Sequence, residues 1–333
     1  MKSLPKIVFD SSAFAPADAA AAWAHFNSKT HTVTALEIEG REFSTLSTTW
    51  MAERVFFIDA HLHLQTKTIK TQSAVPTAER RAMLGWMCKS GGCHFLHNGQ
   101  AAELRPGDFF MFDLSGEMSG LMLDMDVYGI IMPHAEIDYQ AGMFPQGVLF
   151  KAASREAQAV KNLFETSITS LPKAKAGDAA EYAARAKRVI YPLVHNYKAL
   201  KAQPKQLEQE ILDYIDEHIL DPDLSTEHLM QQFDYSRARL YEIVQLPASF
   251  DAYVLVRRLD YALRSLAFGP ESSDRYGIIA SRLGFSSQDE FDQAFESQFG
   301  FAPKTVLGVL ATERPEPNGK LWNTWLDDDY GAH

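Results

Sequence analysis

The clearest signal in this 333-residue chain lies at residues 278–288, which read IIASRLGFSSQ. Ile279, Ala280 and Leu283 recur at the spacing of one helical face, and Gly284 is the residue type that most often ends a helix. The two serines that follow are typical N-caps, so a second helix is expected directly after the turn. Two short helices around a tight turn form a helix-turn-helix, whose second helix enters the major groove of DNA.

A second unit of the same kind is expected upstream. Ser225 or Thr226 precedes an acidic turn and predicts the start of a helix. Residues 237–241, which read RARLY, would begin the first recognition helix. Residues 249–266 then predict a long joining helix, because their apolar residues recur at intervals of three and four. In the downstream unit, two phenylalanines four residues apart would pack under the second helix; they are Phe291 and Phe295.

Two helix-turn-helix units joined by a long helix resemble the DNA-binding domain of the AraC/XylS family of transcription regulators. The resemblance covers roughly residues 205–310 and implies an all-α domain that binds DNA. Gln288 and Gln293 are suited to contact bases, because a side-chain amide pairs well with adenine. The resemblance assigns DNA contacts to Ser236, Arg237, Ala238, Arg239, Tyr241, Ser287, Gln288, Asp289, Gln293 and Lys304.

The charge of this region departs from the family pattern. Residues 205–310 contain nine Lys or Arg against eighteen Asp or Glu, whereas DNA binding depends on cations that displace the counterions of phosphate. Glu242 stands where the first recognition helix commonly has an arginine, and Gln293 and Glu296 replace basic positions of the second.

Two interpretations of this charge stay open. In one, the acids lie on the far face and the protein binds DNA through cations clustered on the near face. In the other, a degenerate domain has weak or no DNA binding, and the regulator acts through a protein partner. The cations of the first interpretation are Arg237, Arg239, Arg257, Arg258, Arg264, Arg282 and Lys304.

The N-terminal half changes to short β segments rich in β-branched and aromatic residues. Asn98-Gly99 predicts a hairpin turn, and Pro106-Gly107 predicts a type II turn whose amides Asp108 would bond. A glycine-bearing hairpin followed by Pro-Gly-Asp and an apolar strand resembles the cupin-like sensor domain of the same regulators. The expected strands are residues 33–39, 43–49, 55–68, 82–89, 94–97 and 109–114.

A small barrel of this kind leaves an interior that holds one ligand. The expected effector is apolar or aromatic. If it carries a carboxylate, the expected partner is Arg54, His61, His63 or Arg81. The alternative is that most of the aromatic residues simply fill the core. The candidate effector-binding residues are Trp50, Arg54, Phe57, His61, His63, Trp86, Phe110 and Phe112.

The histidines and cysteines do not form a convincing metal site. His61-Leu62-His63 places two imidazoles on one face of a strand, but the Glu of a cupin metal motif does not follow. Cys93, His94 and His97 would alternate between the two faces of their strand. No catalytic triad, phosphate loop or zinc spacing stands out either. The chain is therefore predicted to have no metal, no cofactor and no enzymatic activity, and a cupin enzyme is the disfavoured alternative.

Two helices are expected between the halves, at residues 153–170 and 178–198, each with an apolar stripe. They would either dimerise the sensor domain or cover its open side. Residues 312–333 read as a polar, acidic tail. The expected domains are 1–150 (cupin-like, effector-binding), 151–204 (helical hairpin and linker), 205–310 (DNA-binding) and 311–333 (tail).

Composition sets the remaining expectations. The net charge is −11, and no run of about 20 apolar residues suggests a membrane span. The two cysteines give no disulfide framework and fit a reducing cytoplasm. The prediction is a cytoplasmic, two-domain α+β transcription regulator, with an N-terminal cupin-like β-barrel with flanking helices and a C-terminal all-α double helix-turn-helix. Its expected partners are DNA and a small-molecule effector, with RNA polymerase and a second copy of the chain as further candidates.

Overall fold

The computed structural model of the protein divides into two compact units, one within residues 1–200 and one within residues 201–312. The structure describes residues 2–27, 32–36, 38, 41–63, 65–69, 82–97, 100–114, 118–139, 147–196, 207–244, 249–268 and 273–307. The expected linker at 201–205, the acidic tail and Arg81 lie outside these residues.

The N-terminal unit is built on one antiparallel sheet, ten-stranded across the described residues. The strands are β1 Lys6–Asp10, β2 Thr32–Ala35, β3 Thr45–Ala52, β4 Val55–Leu62, β5 Gln65–Ile69, β6 Ala82–His97, β7 Gln100–Leu104, β8 Phe109–Asp113, β9 Met118–Pro133 and β10 Val148–Phe150. The main path runs β1-β3-β4-β9-β6-β8-β10, while β2 and β5 pair with each other, β5 also pairs with β9, and β7 pairs with β6. Within the described residues, β1 and β10 end the path and do not pair with each other.

The structure corrects the expected break at residues 90–92. These residues do not separate two strands but lie inside β6, where the register against β9 shifts twice, between Cys88 and Ser90 and between Ser90 and Gly92. Gly91 has a φ of +68°, and an added Cβ would lie 2.3 Å from the carbonyl oxygen of Asp124. A glycine that bends a continuous strand has the same local composition as one that ends it, so the sequence indicated two separate strands, 82–89 and 94–97.

The turn around Pro106 has the expected form. Gly107 has a φ of +86°, as the third position of a type II turn requires. The Asp108 carboxylate accepts hydrogen bonds from the amides of Arg105 (3.3 Å) and Ala152 (2.8 Å). This buried carboxylate therefore joins the turn to the segment that follows β10. Asn98 and Gly99 lie outside the described residues, but the flanking strands pair with His97 opposite Gln100.

One face of the sheet packs against two helices, α2 Arg155–Ser170 and α3 Ala179–His195. Phe57 meets Tyr182 of α3, and Tyr128 stacks on Phe164 of α2. This contact supports the expectation that the helices cover the sheet, and their use in dimerisation stays a proposal. The buried helix residues include Val160, Leu163, Phe164, Ser167, Ile168, Ala183, Ala186, Ile190 and Leu193, while Val189 is partly buried.

The opposite face of the sheet packs against α1 Pro16–Asn27. Trp23 of this helix is almost fully buried, and its indole nitrogen donates a hydrogen bond to Gln65 Oε1 at 2.8 Å. Successive residues of a strand point to opposite faces, so each strand contributes to both clusters. The second cluster includes Trp86, Phe110, Phe112, Ala60 and Val127.

Both cysteines are buried and free. Burial raises the pKa of the Cys88 thiol to about 12, and the nearby carboxylates of Asp108, Asp126 and Glu103 act in the same direction. A thiol with a raised pKa stays protonated at neutral pH, and only the thiolate is nucleophilic. Cys88 is therefore a packing residue.

We predict that the native protein reacts slowly with a thiol-specific reagent at neutral pH. Both thiols should react quickly once the chain is unfolded in denaturant, because burial is then lost. Absorbance with a disulfide reagent measures both rates, and the unfolded protein is the control for total thiol. Fast reaction of Cys88 in the folded protein would contradict the buried environment.

The C-terminal unit is all-α within the described residues, and this arrangement confirms the expected fold class. The helices are α4 Leu207–Glu217, α5 Thr226–Phe233, α6 Arg237–Val244, α7 Phe250–Phe268, α8 Ser273–Arg282 and α9 Gln288–Phe299, followed by a short 3-10 turn at Pro303–Val306. Ser225 caps α5 and Ser287 caps α9, as the sequence indicated. Phe291 and Phe295 are completely buried.

Two arginines of α7 are structural, which corrects their expected position on a DNA-facing side. The Arg257 side chain is 4% exposed and forms a bidentate ion pair with Asp216 of α4 at 2.8 and 2.7 Å. It also donates to Asp260 at 2.9 Å. Arg258 donates to the carbonyl oxygens of Ile219 and Asp221 at 3.1 and 3.0 Å. These contacts join α7 to α4 and to the loop that follows it.

Candidate nucleic-acid interface and effector cavity

The first helix-turn-helix consists of α5 and α6. The Ser225 hydroxyl accepts a hydrogen bond from the His228 amide at 3.2 Å and fixes the start of α5. Asp234 ends that helix in the left-handed conformation, with a φ of 54°. The Ser236 hydroxyl then accepts from the Arg239 amide at 3.3 Å, which positions the start of α6.

Helix α6 turns one face to solvent. Leu240 and Val244 are buried, so the helix is anchored on its inner side. The Tyr241 hydroxyl accepts a hydrogen bond from the Phe250 amide at 3.2 Å, so this predicted DNA contact also supports the next helix. The predicted contacts that lie together and exposed are Ser236, Arg237, Ala238 and Arg239.

Both arginines of α6 have a carboxylate partner in the free protein. Arg237 forms an ion pair with Glu227 of α5, and Arg239 pairs with Glu242 at 2.7 Å. The Glu227 backbone amide and Arg237 lower the pKa of the Glu227 carboxyl. All four side chains are more than half exposed, so water and salt screen the two pairs. A DNA phosphate would have to replace these carboxylates.

The second helix-turn-helix consists of α8 and α9. Gly284 ends α8, as the sequence predicted, and its φ of +81° is the left-handed conformation in which a glycine commonly ends a helix. The Ser287 hydroxyl accepts from the Glu290 amide at 3.2 Å, and the Glu290 carboxylate accepts from the Ser286 amide at 2.9 Å. Ser287 therefore acts as the N-cap of α9, and Glu290 binds the amide of the residue that precedes the cap.

The exposed side of α9 is acidic. Asp289, Glu290, Gln293 and Glu296 are exposed, and the helix contains no lysine or arginine. The exposed faces of α6 and α9 therefore differ in charge: α6 presents two arginines and α9 presents carboxylates.

A hydrogen-bonded group of side chains fastens α9 to α8. Gln288 donates to Asp292 at 2.9 Å, and the Tyr276 hydroxyl donates to the same carboxylate. Burial, followed by Asp292, raises the pKa of the Tyr276 hydroxyl. Gln288, predicted to contact a base, is therefore engaged within the domain, whereas Gln293 is exposed. Lys304 is also exposed, with its ammonium 5.6 Å from the centre of the Tyr276 ring.

The N-terminal unit contains a cavity between α1 and the face of the sheet that this helix covers. Its volume is about 50 Å³, and it is partly open to solvent. Small residues leave this room: Ser47 pairs with Ala60, and Gly129 stands between Ile58 and Trp86 across three strands. The lining residues are Trp23, Phe26, Asn27, Ser47, Thr49, Ile58, Ala60, Leu62, Leu84, Trp86, Leu114, Val127, Gly129 and Ile131.

The expected aromatic effector residues fall on both faces of the sheet. Trp86 lines the cavity, and Phe112 packs edge-on to it at 5.5 Å without itself lining the space. Phe110 stacks on Phe112 in the same cluster. Trp50 and Phe57 belong to the opposite face, in the cluster with α2 and α3. Trp50 and Phe57 therefore fill the core, as the alternative interpretation of the aromatic residues expected.

The expected basic residues do not line the cavity either. Arg54 lies 3.6 Å from the Glu136 carboxylate. His61 Nδ1 lies 2.7 Å from Asp126, and His63 Nδ1 lies 2.5 Å from Asp124. Each of these groups thus has an acidic neighbour in the folded unit.

Sequence reasoning missed the contribution of α1. Trp23, Phe26 and Asn27 form one wall of the cavity. These residues are three and four positions apart, a spacing that places them on one face of a helix and that could have indicated this wall from the sequence. The sequence did not show which part of the sheet this face would cover.

These elements define a two-domain fold, an antiparallel sheet domain followed by two helix-turn-helix units, of the AraC-like type. The protein is similar in fold to the AraC-like transcriptional activator CuxR, with a TM-score of 0.51 and 16% identity over 78% of this chain and 95% of CuxR. The resemblance expected from the sequence is thereby confirmed at the level of fold.

Other comparisons are more distant. A single-site variant of ToxT from Vibrio cholerae, in its apo form, matches with a TM-score of 0.32 and 12% identity over 77% of this chain and 97% of ToxT. ToxT with a bound unsaturated fatty acid matches with a TM-score of 0.30 and 13% identity over 83% of this chain and 99% of ToxT. No family model and no curated protein matches the chain. Across the described residues, the helices are too short or too polar to cross a bilayer.

Proposed function

We propose that this protein is a transcription regulator that binds DNA through its helix-turn-helix units and is controlled by a small molecule in the N-terminal cavity. The observation that carries the proposal is the first unit, in which a capped, anchored α6 presents Arg237 and Arg239 to solvent. Arginine is suited to both phosphate and guanine recognition. The fold shared with CuxR supports the same class of function.

We propose further that the two units contribute unequally. Helix α6 carries the cations that displace counterions from DNA, whereas the exposed carboxylates of α9 would repel phosphate. The first unit would then supply most of the affinity. Effector binding would act as a population shift between conformations that differ in DNA affinity. RNA polymerase and a second copy of the chain remain candidate partners, the proposed location is the cytoplasm, and no catalytic role is proposed.

The primary test is fluorescence anisotropy with the full chain and a DNA fragment from upstream of its own gene, titrated with salt. We expect specific binding with a shallow salt dependence, equivalent to about two to four phosphate contacts. A scrambled fragment is the control for sequence specificity. Absence of binding at low salt by folded protein, with and without candidate effectors, would contradict the proposal.

The carboxylate partners of α6 give a separate prediction. Glu242→Gln should raise the affinity for DNA about threefold to tenfold at low salt, because it frees Arg239 and removes a negative charge near the phosphates. The matched control is Glu165→Gln in the N-terminal unit, where an exposed carboxylate pairs with Lys161. A lower affinity for Glu242→Gln would mean that Glu242 itself contacts DNA or orients Arg239 for it.

The second candidate function is regulation through a protein partner. The acidic exposed face of α9 favours it, since a basic protein surface would bind there better than DNA. The salt titration distinguishes the two functions. A folded protein that fails to bind DNA even as Glu242→Gln would support the protein-partner function.

A further inference from the structure

The cavity lining is chemically uniform. Trp23, Phe26 and Trp86 provide aromatic surface, and aliphatic side chains provide most of the remainder. The polar lining side chains are Asn27, Ser47 and Thr49, and no charged residue is among the described residues that line the space. A pocket of this composition binds a ligand mainly by removing apolar surface from water.

The alternation of the strands keeps ionisable groups away from the cavity. On β4, Ile58, Ala60 and Leu62 line it, while Asp59 and His61 lie at the intervening positions and point to the other face. Asp59 binds Lys89 at 2.6 Å, and His61 binds Asp126. On β9, Val127 and Gly129 line the cavity in the same alternation. The charges of these strands are thus paired with one another outside the pocket.

A charged ligand would therefore lack a counter-ion. Moving a carboxylate from water into an apolar pocket is strongly unfavourable unless an opposite charge or several hydrogen bonds compensate for it. The Ser47 and Thr49 hydroxyls each offer one donor and acceptor capacity, which is enough for one neutral hydroxyl or carbonyl group. This chemistry favours a neutral ligand over an anion.

The aromatic residues favour a flat ligand. The Trp23 ring is held in one orientation, because it is almost fully buried and its indole nitrogen donates a hydrogen bond to Gln65 Oε1 at 2.8 Å. A fixed indole offers a preformed stacking surface at little entropic cost.

We propose that the cavity binds a small, uncharged, planar apolar molecule with one polar group, which contacts Ser47 or Thr49. This ligand class rests on the proposed function for its role as effector, but the binding itself is independent of DNA. It differs from the sequence expectation of a basic residue that binds a ligand carboxylate.

The test compares 2-naphthol with 2-naphthoate at neutral pH, using isothermal titration calorimetry on the full chain. The two probes share the same ring system, and only the second is an anion. We expect 2-naphthol to bind at least about tenfold more tightly than 2-naphthoate. Equal or tighter binding of 2-naphthoate, or no binding of 2-naphthol up to its solubility, would overturn the proposal.

Variants locate the binding. Ala60→Leu and Ser47→Leu, at paired positions in neighbouring strands, should each weaken 2-naphthol at least about tenfold by filling the cavity. His61→Ala, on the same strand but the opposite face, is the matched control and should bind 2-naphthol like the wild type. Circular dichroism verifies that each variant folds. Unchanged 2-naphthol binding in both folded leucine variants would place the ligand elsewhere and overturn the proposal.

The outcomes separate this inference from the proposed function. Binding of 2-naphthol that is lost in the leucine variants, in a protein that never binds DNA, would support the ligand class and contradict DNA regulation. Specific DNA binding together with a preference for 2-naphthoate would support DNA regulation and contradict the ligand class.

Discussion

Arg257→Met is expected to destabilise the C-terminal unit by about 3–5 kcal/mol rather than to weaken DNA contacts selectively. The guanidinium is buried and forms the ion pairs with Asp216 and Asp260 described above. Methionine fills part of the space but leaves the Asp260 carboxylate, which is 9% exposed, without this cation. Removing one member of a buried ion pair lowers the free energy of unfolding more than replacing the whole pair with apolar residues.

Hydrogen exchange with mass spectrometry measures this effect where it occurs. Peptides from α4 and α7 should lose protection in Arg257→Met, while those from the N-terminal sheet should keep theirs. Arg239→Met is the matched control, because its side chain is 52% exposed and its substitution should change stability by less than about 0.5 kcal/mol. If Arg257→Met kept wild-type protection but lost DNA binding, Arg257 would have to be assigned to the DNA interface after all.

The double substitution Arg237→Ala and Arg239→Ala should weaken DNA binding about 100-fold in a protein that stays folded. Each arginine contributes about 1–3 kcal/mol if it contacts a base or a phosphate, and both lie on the exposed side of α6. The slope of log affinity against log salt should also fall by about two, because two phosphate-neutralising groups are lost. Anisotropy at several salt concentrations gives both quantities.

Lys304→Ala is the control for the other unit. Lys304 is exposed next to the second helix-turn-helix, whose α9 presents carboxylates. If the first unit supplies most of the affinity, Lys304→Ala should reduce binding by less than about fivefold. A larger loss from Lys304→Ala than from the double substitution would reverse the proposed division between the two units.

The local features of this fold were accessible from the sequence because short-range chemistry determines them. Ser225 and Ser287 cap their helices, and Gly107 and Gly284 adopt the left-handed backbone conformations that their turns require. Each of these depends on residues within four positions along the chain, so pattern and structure agree.

Long-range features were not accessible in the same way. The local sequence does not distinguish a buried arginine from an exposed one. Asp216, the ion-pair partner of Arg257, lies 41 residues away along the chain. The cavity depends on the register among β3, β4, β9 and β6, which places Ala60 and Gly129 on one face with Trp86. Without that register, the sequence assigned Trp50 and Phe57 to the ligand, although they pack on the opposite face.

The pairing of the long strands β6 and β9 also affects the order in which the chain folds. Their register joins Ala82 to Pro133 and His97 to Met118, and β9 is shared with β4 and β5. This sheet therefore forms through contacts between residues far apart in sequence, which slow folding, whereas the helical unit forms mostly local ones. The N-terminal half is synthesised before the C-terminal half, and its topology predicts the slower folding of the two. While it folds, its aromatic strands are the segments most exposed to aggregation.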